Sequence, residues 1–263
     1  MKEMSMKAAV HAEWTKLRTL PGTAWLLLAA VALTTGLGAA VSAAVSCPSA
    51  GCGQDAARLS LTGIQFGQAA VAVLAVLVIS GEYSTGMIRT SLTAVPRRTV
   101  LLAAKAAVLT GAVLATATVA VLGSVLAGRL ILPGSGFTAA HGYPPLSLAD
   151  GPTLRAAAGS VLYLALIALL SLGVATAVRD SAAAVAIVLA LLYLFPVVSQ
   201  VVTDPHWHRH LQQIAPMTAG LAVQTTTGLR GLPIGPWAGL GVLAAWAAGA
   251  LLLGGTLLRA RDA

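Results

Sequence analysis

Charged residues are scarce in this chain, and their scarcity excludes a soluble globular domain. Only 9% of the 263 residues are charged and 57% are hydrophobic, with a mean hydropathy of +0.86. A soluble domain carries roughly 25% charged residues. We therefore predict a polytopic membrane protein. It should be all-α, because the apolar runs do not alternate with polar residues as the strands of a membrane barrel do.

Acidic residues and catalytic motifs are also missing. The eight Asp and Glu residues fall at predicted helix ends or in loops, so we expect no carboxylate pair at mid-membrane, where ionisable groups mark proton-coupled carriers. The sequence contains no GxxxxGKS or GxxxxGKT, no GxSxG and no HExxH, and so it lacks the loop that cradles nucleotide phosphates. We predict a chain that is not an enzyme and holds no cofactor or metal.

Six apolar stretches are long enough to cross a bilayer, which takes about 20 helical residues. The third is longer than one span and should protrude at its inner end. Only Arg179 and Asp180 separate the fourth from the fifth, which predicts a tight helical hairpin. The even number puts both termini on one side. The predicted spans are 22–45, 63–80, 104–130, 154–178, 181–202 and 237–258.

The positive charges predict that both termini are cytoplasmic. With the N-terminus inside, the inner segments hold eleven Lys and Arg residues and the outer loops hold five, and such residues favour the cytoplasmic side. The net charge of +8 is thus a topology signal, and no nucleic-acid partner is expected. Lys105 lies near the inner end of the third span, where its long side chain should reach the interface.

Residues 6–20 are predicted to form an amphipathic helix that lies in the membrane interface. We expect Trp14 at the depth of the headgroups and the nearby cations, including Lys16 and Arg18, close to the phosphates. The alternative is an ordinary basic flank without a helix. The apolar positions at helical spacing are Met6, Val10, Trp14 and Leu17.

Charge is concentrated in residues 81–98, which read GEYSTGMIRTSLTAVPRR between the second and third spans. We expect Glu82 to begin a short in-plane helix, because the helix dipole favours an anion there, and Pro96 to end it. Such a helix on the cytoplasmic face would dock a soluble partner; a plain basic loop is the alternative. The apolar positions at helical spacing are Tyr83, Met87, Ile88, Leu92 and Val95.

The first outer loop contains the two cysteines of the chain, Cys47 and Cys52. Their short spacing permits a small disulfide loop on the oxidising side of the membrane, and two free thiols are the alternative. Gly63 and Gly67 form a GxxxG step that should pack helices within the chain. Polar groups that would line a pathway are few, which suits an amphipathic cargo; they are Gln65, Gln68, Tyr163, Tyr193 and Gln200.

The segment before the last span contains three histidines and an interrupted helical pattern. His206, His208 and His210 would share a face and bind a metal if the chain were extended, but we favour an interfacial loop anchored by Trp207. Residues 211–225 predict a short helical pair that dips into the outer leaflet.

Three segments together resemble the permease subunits of ABC-2 type transporters. They are the ExxKLRT pattern at 13–19, residues 81–98, and IAPMTAGLAV at 214–223. The resemblance covers the whole chain in order and spacing. It implies a six-helix half-transporter with an N-terminal elbow helix, a cytoplasmic coupling helix after the second span, and re-entrant helices before the last span.

The resemblance also implies partners and a location. The chain would be the membrane subunit of an exporter in the bacterial cell membrane. It would pair as a homodimer or heterodimer and bind two copies of an ABC ATP-binding subunit that uses ATP and Mg²⁺. Alternatives are a metal-dependent membrane enzyme using the three histidines, and a non-transporting anchor or sensor subunit. The expected coupling residues are Glu82, Tyr83, Met87, Ile88, Arg89, Arg97 and Arg98, and those of the elbow are Glu13, Trp14, Lys16 and Arg18.

Overall fold

Helices form most of this chain, because a helix satisfies the backbone hydrogen bonds of a long apolar run internally. We describe a computed structural model whose described residues are 6–49, 52–94 and 97–260; the side chains of Arg89, Leu92 and Ala94 lie outside them. The α-helices are α1 (Met6–Thr19), α2 (Pro21–Ala44), α3 (Ala56–Leu61), α4 (Ile64–Ser84), α5 (Met87–Ala94), α6 (Arg98–Ile131), α7 (Gly151–Val178), α8 (Ser181–Val201), α9 (Pro205–Ile214), α10 (Pro216–Leu221) and α11 (Pro236–Ala260), and the 3₁₀ turns are Leu132–Ser135, Ala139–His141, Ala222–Gln224 and Leu229–Gly231.

Within the described residues, six helical segments are long and apolar enough to cross a membrane. This confirms the predicted all-α architecture with six candidate spans. The third is longer than predicted, because α6 has 34 residues. At 1.5 Å per residue it measures about 51 Å, against about 30 Å for the hydrocarbon core. The six segments are Pro21–Ala44, Ala56–Ser84, Arg98–Ser135, Gly151–Val178, Ser181–Val201 and Pro236–Ala260.

The second span continues one turn beyond its predicted end. Because α4 runs to Ser84, Glu82 and Tyr83 belong to its last turn, and the prediction that Glu82 begins the in-plane helix is wrong. The break comes at Gly86, whose φ is 71°, since glycine adopts the left-handed conformation that terminates helices. The next helix, α5, starts at Met87. Val95 and Pro96, at the predicted end of that helix, lie outside the described residues.

Helix α7 lies at the centre of the bundle. It is buried along most of its length and contacts α4, α6, α8 and α11, whereas fewer than a quarter of the residues in the apolar windows of α2 and α8 are buried. Glycine allows α7 and α11 to approach each other closely: a Cβ atom on Gly173 would lie 2.5 Å from the carbonyl carbon of Ala250 in α11. Gly63 and Gly67 pack in the same manner against Thr34 of α2, so the GxxxG step joins helices within the chain.

The helix ends gather at two polar ends of the bundle. At the first, which we call the α1 end, Arg98 Nη1 donates a hydrogen bond of 2.7 Å to the carbonyl of Leu258, and α1 contacts α6. At the opposite end, the α9 end, Asp55 Oδ1 accepts a hydrogen bond of 2.7 Å from Thr226 Oγ1. Helix α1 and the last turn of α11 therefore lie at the same end.

The segment before the last span is helical from its beginning. Asp204 caps α9 by accepting hydrogen bonds from two backbone N–H groups, and Pro205 at the first position is already preorganised for a helix. The three histidines thus lie on helix α9. The prediction that this segment forms an interfacial loop is wrong. A second short helix, α10, follows after Ala215, so two helices occupy the predicted region, although the first begins earlier than expected.

Candidate functional site

Four charged side chains meet inside the α1 end, and we call Glu13, Lys16, Glu82 and Lys105 the charge cluster. Lys105 Nζ donates hydrogen bonds of 2.7 Å to Glu13 Oε2 and to Glu82 Oε1. Lys16 Nζ donates to the same two residues, over 2.9 Å to Glu13 Oε1 and 2.7 Å to Glu82 Oε1. Each ammonium group therefore bridges both carboxylates, and the four formal charges cancel.

The hydrogen-bond donors of the cluster are all used. An ammonium group has three donors. The third donor of Lys16 binds Ser91 Oγ over 3.0 Å, and the third of Lys105 binds the carbonyl of Val78 over 3.3 Å. The acceptors are not all used, because Glu82 Oε2 is buried without a hydrogen-bond partner among the described residues.

Lys105 is 1% exposed, so the prediction that its side chain reaches the interface is wrong. The physical reason is that α1 and α4 bring two carboxylates to it, and a buried ammonium group with paired charges needs no contact with water. Burial lowers the pKa of Lys16, but the hydrogen bonds and charges of Glu82 and Glu13 outweigh this, and its pKa lies above the ordinary value. Lys16 is thus held as a cation.

The charge cluster connects four helices. Glu13 and Lys16 belong to α1, Glu82 to α4 and Lys105 to α6, and the bond from Lys16 to Ser91 adds α5. A small apolar cluster lies beside it, in which Ile88 of α5 packs with Ala9, Leu101 and Ala104. Among its described side chains, the short helix α5 is therefore attached to the bundle by the hydrogen bond of Ser91 and by the packing of Ile88.

Helix α5 turns one side to the bundle and another to the surroundings. Ile88 is 5% exposed and Ser91 is also buried, whereas Met87, Thr90 and Thr93 are exposed. Ile88, predicted as an apolar contact for a partner, is thus directed into the bundle, whereas Met87 is exposed among the described side chains of this helix.

The other predicted coupling residues lie around the ends of α4 and α6. The Cζ atom of Arg179 lies 5.3 Å from the centre of the Tyr83 ring, a cation–π distance. Arg98 binds the end of α11, and Arg97 is exposed. The side chain of Arg89 lies outside the described residues.

The face of α1 that packs on the bundle differs from the apolar stripe predicted for it. The buried residues are Ala9, Glu13 and Leu17, and Trp14 and Met6 are 47% and 46% exposed. Glu13 lies on the packed face because it has two lysines as partners, and Trp14, predicted to lie at the depth of the headgroups, is outside this face. Arg18 is exposed beside this face.

Two of the five polar residues predicted to line a pathway are packed inside the bundle. Tyr163 and Gln68 are fully buried, and the Tyr163 hydroxyl donates to Gln68 Oε1. The Tyr193 hydroxyl donates a hydrogen bond of 2.5 Å to the carbonyl of Gln65, and Gln200 is exposed near the end of α8. Within one chain, Tyr163 and Gln68 join α7 to α4.

Helical geometry separates the three histidines. His206 and His210 lie one turn apart with their Nε2 atoms 3.3 Å from each other, while His208 contacts the carbonyl of Ser199 through Nδ1 over 2.7 Å. In the part of the chain that the structure describes, no group of three or more potential ligands could hold a metal ion.

A disulfide joins Cys47 and Cys52, whose Cα atoms are 5.8 Å apart. The backbone N–H of Cys47 also donates a hydrogen bond of 2.8 Å to the carbonyl of Ser135. The loop after α2 is thereby attached to the turn that follows α6 at the α9 end.

The described residues form hollows at two places on the bundle that concern function. A cavity of about 430 Å³ borders the charge cluster between α1, α2, α4, α5 and α6. An apolar groove of about 950 Å³ lies between α7, α8 and α11. The sequence analysis did not predict the cavity or the charge cluster; the available signal was Lys105, a lysine two turns inside an apolar span.

No protein-family model and no curated protein matches this chain.

Proposed function

We propose that this chain is the membrane-spanning subunit of an ATP-driven exporter in a bacterial cell membrane. Its α1 end would face the cytoplasm, and a separate ATP-binding subunit would dock on α5. The excess of Lys and Arg in the segments at the α1 end supports this orientation. The resemblance of 13–19, 81–98 and 214–223 to ABC-2 permeases supports the class.

The observation that carries the proposal is the attachment of α5 to the spans. A force applied to α5 reaches α1 through the bond between Ser91 and Lys16, and it reaches α6 through the packing of Ile88 on Leu101. The charge cluster then joins α1 and α6 to α4. A partner that moves α5 would therefore move three larger helices with it.

The exposed side of α5 suits a docking contact. Met87 is 45% exposed, and methionine is enriched at protein–protein interfaces relative to the rest of the surface. Arg97 is exposed at the start of α6 and would supply charge complementarity at the rim. This chain and a second permease chain, in a homodimer or a heterodimer, would form the complete translocation pathway.

The test uses the full chain, reconstituted in nanodiscs, with any ATP-binding cassette protein that a gene beside its own encodes. Met87→Ala should weaken binding of that protein by about 5- to 30-fold, since truncation of a contact hot spot costs about 1–2 kcal/mol. The matched control is Met6→Ala, because Met6 is 46% exposed at the same end of the bundle.

Binding is measured by surface plasmon resonance, and ATP hydrolysis by phosphate release. Met87→Ala should lower both affinity and the stimulation of hydrolysis by the membrane chain, and Met6→Ala should change neither. If Met87→Ala retains wild-type affinity and stimulation, α5 is not the docking element. If the wild-type chain does not bind the protein at all, the proposed function is refuted.

A further inference from the structure

The cavity beside the charge cluster has the size and lining of a small-molecule site. Its volume of about 430 Å³ falls within the range of roughly 300–1,000 Å³ for ligand pockets. One part of the wall is charged, and it contains all four residues of the charge cluster. The apolar part is formed mainly by Leu17, Leu20, Leu26, Leu74, Leu77 and Val78. Such a wall fits a molecule with an apolar body and a polar head.

Most of the hydrogen-bond donors in this wall are already used in hydrogen bonds within the chain. Lys16 and Lys105 use three donors each, as described above. The hydroxyl groups of Ser84 and Thr85 both donate to the carbonyl of Gly81, over 3.1 Å and 2.7 Å. The hydroxyl of Thr19 donates to the carbonyl of Thr15 over 2.9 Å. These residues therefore offer lone pairs, and not N–H or O–H groups, to a ligand.

One acceptor in this wall is also left over. Glu82 lines the cavity and is 6% exposed, and its Oε2 atom has no partner among the described residues. An unsatisfied buried carboxylate oxygen costs free energy, and a donor that carries positive charge compensates it best. An anionic head would find no free donor on either lysine.

We propose that this cavity binds an amphipathic amine, with its protonated amino group directed to Glu82 and its alkyl body along the leucines. Because Oε2 is itself buried, the Glu82 side chain must shift to meet the head, and Oε2 then gains the partner that it lacks among the described residues. A free alkylamine and an aminolipid such as phosphatidylethanolamine share this chemistry. The site does not depend on the ATP-binding partner.

The test needs a variant that fills the cavity without disturbing the cluster. Gly81 lines the cavity, and a Cβ atom there would meet no described heavy atom within 4 Å. Gly81→Leu therefore projects a side chain into open space. Gly111→Leu is the matched control, because Gly111 has equally open surroundings on α6 and is not among the residues that line the cavity.

The probe is a dodecylamine with a photoreactive diazirine, added to the full chain in phosphatidylcholine nanodiscs, and crosslinks are mapped by mass spectrometry. Saturable labelling of α1, α2 or α4 is expected, and Gly81→Leu should lower it at least about tenfold by occluding the volume, with Gly111→Leu unchanged. The matched dodecanoic acid probe should label these helices at least about tenfold less, since Lys16 and Lys105 have no N–H donor left for a carboxylate.

Competition then distinguishes the two sources of the amine. Displacement by short-chain phosphatidylethanolamine, but not by the matching phosphatidylcholine, would identify a lipid headgroup as the occupant. Displacement by alkylamine alone would identify a free amine. The proposal is overturned if amine labelling does not saturate, if Gly81→Leu labels like the wild type, or if the acid labels as well as the amine. None of these results bears on the docking role of α5.

Discussion

Lys105→Met is the sharpest test of the charge cluster. Methionine preserves much of the length of lysine but removes the charge, so Glu13 loses its 2.7 Å partner at Oε2 and Glu82 loses one of two partners at Oε1. The cluster changes from neutral to one net negative charge. Removing one partner of a buried ion pair costs about 3–5 kcal/mol, and we expect about 3 kcal/mol because Lys16 remains bound to both carboxylates.

The assay is thermal unfolding in nanodiscs, followed by tryptophan fluorescence. With about 2–4 °C per kcal/mol for a chain of this size, Tm should fall by about 6–12 °C. Lys7→Met, which removes an exposed cation from α1, should leave Tm within about 1 °C, because exposed surface substitutions change stability little.

A double variant distinguishes the stability lost through an unpaired charge from the stability lost through altered packing. Lys105→Met with Glu13→Gln leaves Lys16 paired with Glu82 in a neutral cluster, so it should recover about half of the lost stability or more. The reasoning is refuted if Lys105→Met unfolds at the wild-type temperature. It is also refuted if the double variant is as unstable as the sum of the two single changes, since the loss would then arise from packing.

Two further substitutions test the core of the bundle in the same assay. Tyr163→Phe leaves Gln68 Oε1 without its donor and should cost about 1–3 kcal/mol; an unchanged Tm would show that this buried bond contributes nothing. Gly173→Val places a Cβ atom 2.5 Å from the carbonyl carbon of Ala250 and should destabilise by about 1–3 kcal/mol or more, whereas Gly249→Val on α11 has open space and should fold normally.

The sequence predicts the spans well because hydropathy acts over about 20 neighbouring residues. The first, fourth, fifth and sixth spans agree with their helices to within about three residues. The second span was predicted to end at Ser80, since Glu82 is charged and charge normally marks the membrane boundary. Helix α4 continues beyond Ser80 because Lys16 and Lys105 neutralise Glu82. Both lysines are distant from Glu82 in the sequence, so a local hydropathy pattern does not reveal this pairing.

The candidate site was harder to predict for a related reason. Its contacts join residues far apart in the chain, since Lys105 and Glu13 are separated by 92 positions and Lys16 and Ser91 by 75. Periodicity found a helix near 83–95, but it did not distinguish Ile88, which faces the bundle, from Met87, which faces outward. Which side of α5 faces the bundle depends on the positions of α1 and α6.

The charge cluster contributes more to the specificity of helix packing than to the stability of the fold. Burying ions costs desolvation, and apolar residues of similar volume often stabilise a fold equally well. Apolar helices in a bilayer, however, have few constraints on their register, because lipid is as apolar as they are. A shift of α1, α4 or α6 by one turn would leave a buried charge unpaired, whereas the same shift between apolar faces would cost little. The cluster therefore fixes one arrangement of these helices, and α5 attaches at that fixed point.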